Sequence, residues 1–219
     1  MTNTYIFDTE TTGKIDPVVV EAAWIKIDSF SPLLTSNSFN QRYNPGKKNE
    51  YGALAIHNIL DEELLDCPPA SEFQLPDDTQ YIVGHNVDYD WNVINQPNIK
   101  RICTLALARR VWPELDSYNQ SALLYFIEGH KARDKLKNAH SALADVKNCE
   151  ILLRAICNKL EITSAEELWI KSELARIPTH INFGKHKGSI ISEIPKDYKE
   201  WLLKQVDVDP YLRKALEAK

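Results

Sequence analysis

Ile6-Phe7-Asp8-Thr9-Glu10-Thr11-Thr12-Gly13 carries an apolar strand straight into two carboxylates and a glycine turn. Side chains alternate along a strand, so Asp8 and Glu10 share one face, about 6.6 Å apart along it. No lysine or arginine lies in the stretch to neutralise them. Carboxylates aimed at one spot call either for a hard divalent cation between them or for water, as where a strand runs out into a solvated acidic turn.

Outward from this stretch, Val18–Ile27 is rich in β-branched residues, and Ser38–Tyr43 follows beyond a loop containing Pro32. Three sequential strands with short links predict an antiparallel meander. Helical spacing then takes over at Glu50–Ile59, through Tyr51, Leu54 and Ala55, and again at Asp61–Leu65, which stops before Pro68-Pro69. Gln80–Gly84 is a short apolar strand leading through His85-Asn86 into a helix over 87–95, with Asn86 as its expected N-cap. Arg101-Ile102-Cys103 repeats the strand-then-helix pattern into Thr104–Val111. Helices are expected at 119–127 and 141–160, the latter with an apolar stripe at Val146, Cys149, Leu153 and Ile156. Strands followed by alternating strands and helices predict a mixed α/β sheet.

The chain has 219 residues and 43% hydrophobic content, enough for one main domain and a small appendage. The expected division is a domain over 1–163, a helical link over 164–178 and a small module over 179–219. In that module Phe183, Trp201 and Leu202 are the expected apolar anchors, and Trp24, Trp169 and Trp201 are assigned to cores. A net charge of −5 excludes a wholly basic coat protein, so a nucleic-acid partner has to meet a local basic patch. Cys67, Cys103, Cys149 and Cys157 form no C-x-x-C pair and are expected as buried thiols of a reducing compartment. No leader-like or membrane-length apolar run is present, so the expected location is cytoplasmic, with no membrane partner.

Two more acids turn the first pair into a set. Asp90 falls in the first turn of the helix after His85-Asn86, where a helix N-terminus favours ionisation, and Asp145 opens the later helix just behind His140. Four acids at the ends of separate elements can converge on two cations, an arrangement suited to phosphodiester cleavage. His140 is the histidine beside them, and because an imidazole can take up and return a proton it is the candidate general base. His85 is assigned to shaping its turn, and Asp88, two residues from Asp90, to an exposed face. Lys131, Arg133, Lys135 and Lys137 precede His140 and are either a phosphate-binding run or a solvated loop. Lys185 and Lys187, in the turn Phe183-Gly184-Lys185-His186-Lys187-Gly188, divide the same way.

D-x-E-T-T-G at Asp8–Gly13, H-N-x-x-x-D at His85–Asp90 and H-x-x-x-x-D at His140–Asp145 resemble, in order, the three motifs of the DEDDh family of 3′–5′ exonucleases. The resemblance covers residues 4 to 160, and the glycine-bracketed basic tail resembles that of an exodeoxyribonuclease branch of the family. It implies a ribonuclease-H-like α/β exonuclease fold, with a mixed five-stranded sheet flanked by helices. It also implies two divalent cations, Mg²⁺ or Mn²⁺, on Asp8, Glu10, Asp90 and Asp145, with His140 as base. The implied reaction is stepwise release of nucleoside 5′-monophosphates from DNA 3′ ends, single-stranded or duplex, in repair or end trimming. Thr11 and Thr12 would approach the terminal nucleotide. Alternatives are the same chemistry on RNA ends, or an epsilon-like proofreading subunit that binds a polymerase through its tail. Homodimerisation through a sheet edge or the tail is a further expectation.

Overall fold

The computed structural model describes residues 2–138 and 140–218, which fall into one compact unit running through Ser172 and a second from Glu173 onward. In the first unit β1 (Thr4–Thr11), β2 (Val19–Phe30) and β3 (Leu33–Arg42) form the expected antiparallel meander. After helices α1 (Tyr51–His57) and α2 (Asp88–Val93), which flank β4 (Tyr81–Gly84), β5 (Lys100–Cys103) completes a mixed five-stranded sheet in the order β3-β2-β1-β4-β5. β4 pairs in parallel with β1, which therefore has a partner on each side.

β2 and β3 are longer than their sequence signals. They run on to a tight turn at Ser31-Pro32, because pairing from Glu21↔Arg42 to Phe30↔Leu33 satisfies the backbone of a polar stretch that carries little apolar pattern of its own. α1 is shorter than expected and turns Tyr51 and Ile56 outward, leaving His57 as its buried residue. Cys103, Cys149 and Cys157 are buried free thiols, whereas Cys67 is only partly covered.

Strand alternation sorts the two faces of β1. Phe7 packs on one side with Val19, Ala22, Tyr43, Ile82 and Val87. On the chain run α3 (Thr104–Val111), α4 (Gln120–Glu128), α5 (Ala132–Lys135) and the 19-residue α6 (Ala142–Leu160). α6 lies across β1, β2 and β3, with α3 and α4 beside it, and buries Val146, Cys149, Leu153 and Ile156. Gly84 ends β4 where a Cβ would come within 2.9 Å of the Phe7 carbonyl, so glycine lets β4 close on β1 immediately before Asp8.

α7 (Ala165–Arg176) spans the boundary between the units. In the second unit α8 (Lys196–Leu203) and α9 (Pro210–Glu217), the latter capped by Asp209, enclose a core of Ile181, Ile191, Ile194, Leu202, Leu212 and Leu216. Two of the expected anchors are not in it: Phe183 is 41% and Trp201 51% exposed. Neighbouring residues on a helix point about 100° apart, so burying Leu202 turns Trp201 outward. Among the described residues no helix is long and apolar enough to cross a membrane.

Candidate active site

Asp8 and Glu10 leave the same face of β1, and α6 sets Asp145 over it from the first turns of the helix. One carboxylate oxygen from each of the three lies within 4.8 Å of the others. Asp90 stands apart from this trio in its contacts. It is buried, and its Oδ1 accepts hydrogen bonds from the Thr9 backbone N–H (2.9 Å) and the Thr9 hydroxyl (2.7 Å), which fix α2 against β1.

Burial and mutual repulsion dominate the electrostatics. Burial, then the charges of Asp90, Asp145, Glu10 and Glu21, hold the Asp8 carboxyl well above the ordinary range. Burial and the neighbouring acids push Glu10 up to about 8. Asp90 is raised to about 7 by burial despite the bonds from Thr9. The helix N-terminus expected to keep it ionised belongs to a helix of only 6 residues, and burial outweighs it. Asp145 is raised by burial, with His140 acting in the opposite direction. Crowded, half-desolvated carboxylates that offer only oxygen fit a hard divalent cation, whose charge would relieve the repulsion.

His140 lies in the loop before α6, exposed, with a left-handed backbone (φ 70°) that histidine adopts more readily than bulkier residues. Its backbone N–H donates to the Asp145 carboxylate. With Lys135, Lys137, Lys147 and Asn148 it lines an open cleft of about 760 Å³. Lys135 pairs with Glu128 and Lys137 with Asp134, each at 2.7 Å, so both lysines carry counter-ions of their own.

A second cleft of about 430 Å³ has walls from Glu10, Thr11, Glu50, Ile56, His57 and Tyr89. The Thr11 and Tyr89 hydroxyls lie 2.6 Å apart and both reach the Gly13 carbonyl. Thr12 is 1% exposed and its hydroxyl accepts the Val18 N–H at 3.1 Å, so this side chain closes the turn. Lys185 and Lys187 are exposed in the second unit, at a 3-10 turn bracketed by glycines.

His85 ties the turn after β4 to its neighbours: Nε2–H donates to the Tyr118 carbonyl (2.9 Å), Nδ1 lies 3.1 Å from the Thr104 hydroxyl, and burial lowers its pKa to about 4. Asn86 does not cap α2. It takes a left-handed backbone (φ 71°), and Val87 holds the cap position without a side-chain bond. Asp88 is half-covered and paired with Arg101, not free in solvent as expected.

Sequence reasoning missed Glu21. It is 3% exposed on β2 opposite Glu10, its Oε2 accepts the Ala142 N–H at 2.8 Å, and its Oε1 lies 3.5 Å from Arg42 Nε. One signal was available, a lone acid inside the apolar run Val18-Val19-Val20-Glu21-Ala22-Ala23. Asn148, buried one turn beyond Asp145, and Glu50, which accepts the Lys14 and Ile15 N–H groups, were missed as well. Neither sits in a spacing that marks it.

No family model matches the chain. It is 29% identical over 218 residues to Exodeoxyribonuclease 10 of Escherichia coli K12, covering 97% of this chain and 96% of that protein. It is 29% identical over 161 residues to DNA polymerase III subunit epsilon of Buchnera aphidicola, covering 65% of this chain and 67% of that one. Among solved structures, Exonuclease X in complex with 5′ overhanging duplex DNA is 27% identical with a TM-score of 0.61, covering 77% of this chain and 99% of that chain. Escherichia coli Exonuclease I with a dT13 oligonucleotide shares the fold at 20% identity and a TM-score of 0.58, over 74% of this chain and 42% of that one.

Proposed function

Because the chain belongs to the DEDDh 3′–5′ exonucleases, we propose that it hydrolyses the last phosphodiester bond at DNA 3′ ends, releasing nucleoside 5′-monophosphates in repair or end trimming. The observation that carries this is the convergence of Asp8, Glu10 and Asp145 within 4.8 Å, with Asp90 bonded to the intervening Thr9. Asp8, Glu10, Asp90 and Asp145 would hold two divalent cations, Mg²⁺ or Mn²⁺. Bound there, the cations supply Lewis-acid polarisation and neutralise charge building on the phosphate oxygens. His140 takes the proton from the attacking water, and its exposed position lets it return that proton to solvent. Water adds to phosphorus, the P–O3′ bond breaks, and the departing O3′ takes a proton from solvent, leaving the shortened strand with a new 3′-hydroxyl. Lys135, Lys137 and Lys147 hold the strand's phosphates along their cleft, and the cleft beside Glu10 and Tyr89 takes the terminal nucleotide. In this reading the first unit carries catalysis, and the residues from about 179 form an accessory module.

The test is digestion of a 5′-labelled single-stranded DNA with Mg²⁺, with Mn²⁺ and with EDTA, beside RNA of the same sequence. A metal-dependent ladder of shortened DNA, with RNA left longer, is expected. Intact DNA in all lanes, or faster loss of RNA, removes the proposal.

A further inference from the structure

The second unit carries a run of ring contacts that leads from its core out to the exposed ring of Trp201. On α8, Tyr198 and Trp201 stand one turn apart, with rings 5.4 Å apart and 25° from parallel. His186 continues the run, its ring 4.4 Å from that of Tyr198, and Lys185 Nζ sits 5.4 Å over the Tyr198 ring. Phe183 is exposed at the start of the same turn. Gly184 makes the assembly possible: its φ is +60°, and a Cβ there would meet the Tyr198 hydroxyl at 3.2 Å. Tyr198 packs in part against the aliphatic core, but burial does not explain Trp201, which is half exposed and no part of that core.

Charge favours a polyanion as the occupant. Residues 173–219 carry nine lysines and arginines against seven acids, in a chain whose net charge is −5. Lysines beside the exposed rings of Phe183 and Trp201 answer both halves of a single strand, phosphates and unpaired bases, whereas a duplex keeps its base faces stacked inside. An acidic peptide would use the lysines but not the flat faces of the rings.

We propose that the exposed ring of Trp201, backed by Tyr198 and His186 and flanked by Lys185 and Lys187, forms a base-stacking platform for single-stranded DNA. The exonuclease reading supplies only the identity of the polymer. Stacking is indifferent to sequence, so the platform would hold a strand without choosing among bases.

The test is anisotropy of the full chain, in EDTA, with labelled oligo-dT and with an abasic strand of the same length and charge. Trp201→Ala is expected to weaken oligo-dT binding at least about fivefold while leaving the abasic strand unchanged, with Trp201→Phe in between. Lys185→Ala should weaken both strands by the same factor and lower the salt slope by about one. Unchanged oligo-dT affinity in Trp201→Ala overturns the platform, as does an equal loss on the abasic strand. A chain that shows the oligo-dT preference but releases no nucleotide with Mg²⁺ would support the platform and remove the exonuclease reading.

Discussion

Asp8 concentrates the conflict in the site. It is the acid most opposed by burial and by its neighbours, so in the proposed reading its charge serves a bound cation and works against the cation-free fold. Asp8→Asn is expected to lower turnover by at least about 10³-fold. In EDTA the same change should raise Tm by about 2–4 °C, from roughly 1 kcal/mol of relieved repulsion. Turnover assays and circular-dichroism melts decide it; a fall in both would mean that Asp8 is structural. The pH dependence has a worked sign. Glu10 and Asp90 bind protons more tightly folded (about 8 and about 7) than unfolded (4.5 and 3.8), so the stability they contribute is complete below about pH 4 and lost as pH rises through 7–8. The Tm difference between Mg²⁺ and EDTA should therefore widen from about pH 6 to about pH 8.5, and a constant difference would argue against cation binding at these acids. His85 works at the other end. Its folded value of about 4 lies below the ordinary 6.5, so its contribution is lost as pH falls through that window, and His85→Gln should flatten the acid limb of a Tm-against-pH curve. Asp8 and Glu10 were legible because a period of two puts them on one face. Trp201 was not, because adjacent helix residues compete for one core and only the packing decides between them.

At the scale of elements, β2 holds the start of α6. Glu21 reaches from the strand to the first backbone N–H of the helix, and that helix carries Asp145 and follows the His140 loop. Glu21→Ala leaves this N–H without its partner, at a cost of about 1–3 kcal/mol, and loosens the His140 loop, which bears the proposed base. We expect kcat to fall about tenfold or more with KM little changed, and Glu21→Gln, which still offers an acceptor, to recover most of it. Loss through KM instead would place Glu21 in substrate binding. This link was hidden in the sequence because its ends are 121 positions apart and no motif joins them. The first half of β3, residues 33–37, was hidden for a related reason: this largely polar stretch becomes a strand by pairing with β2, not through its own side chains.

Across the whole molecule, α7 is more than a connection between the two units. Leu168 and Ser172 are buried, and the Ser172 hydroxyl takes the Cys103 N–H at the end of β5 at 2.8 Å. A chain ended after residue 176 should melt cooperatively and keep nucleotide release. One ended after residue 163 strips that N–H and uncovers the β4–β5 side, and should be less stable by at least about 2 kcal/mol in urea titration. Equal stability of the two would assign all of α7 to the second unit. β1, paired on both edges, also limits how this chain can change in length. A single residue inserted or deleted between Tyr5 and Glu10 would swing one or both acids into the packing around Phe7, while the tip at Ser31-Pro32 can grow or shrink without moving any of them. Related chains should therefore be ungapped through the first strand and vary freely at the end of the hairpin.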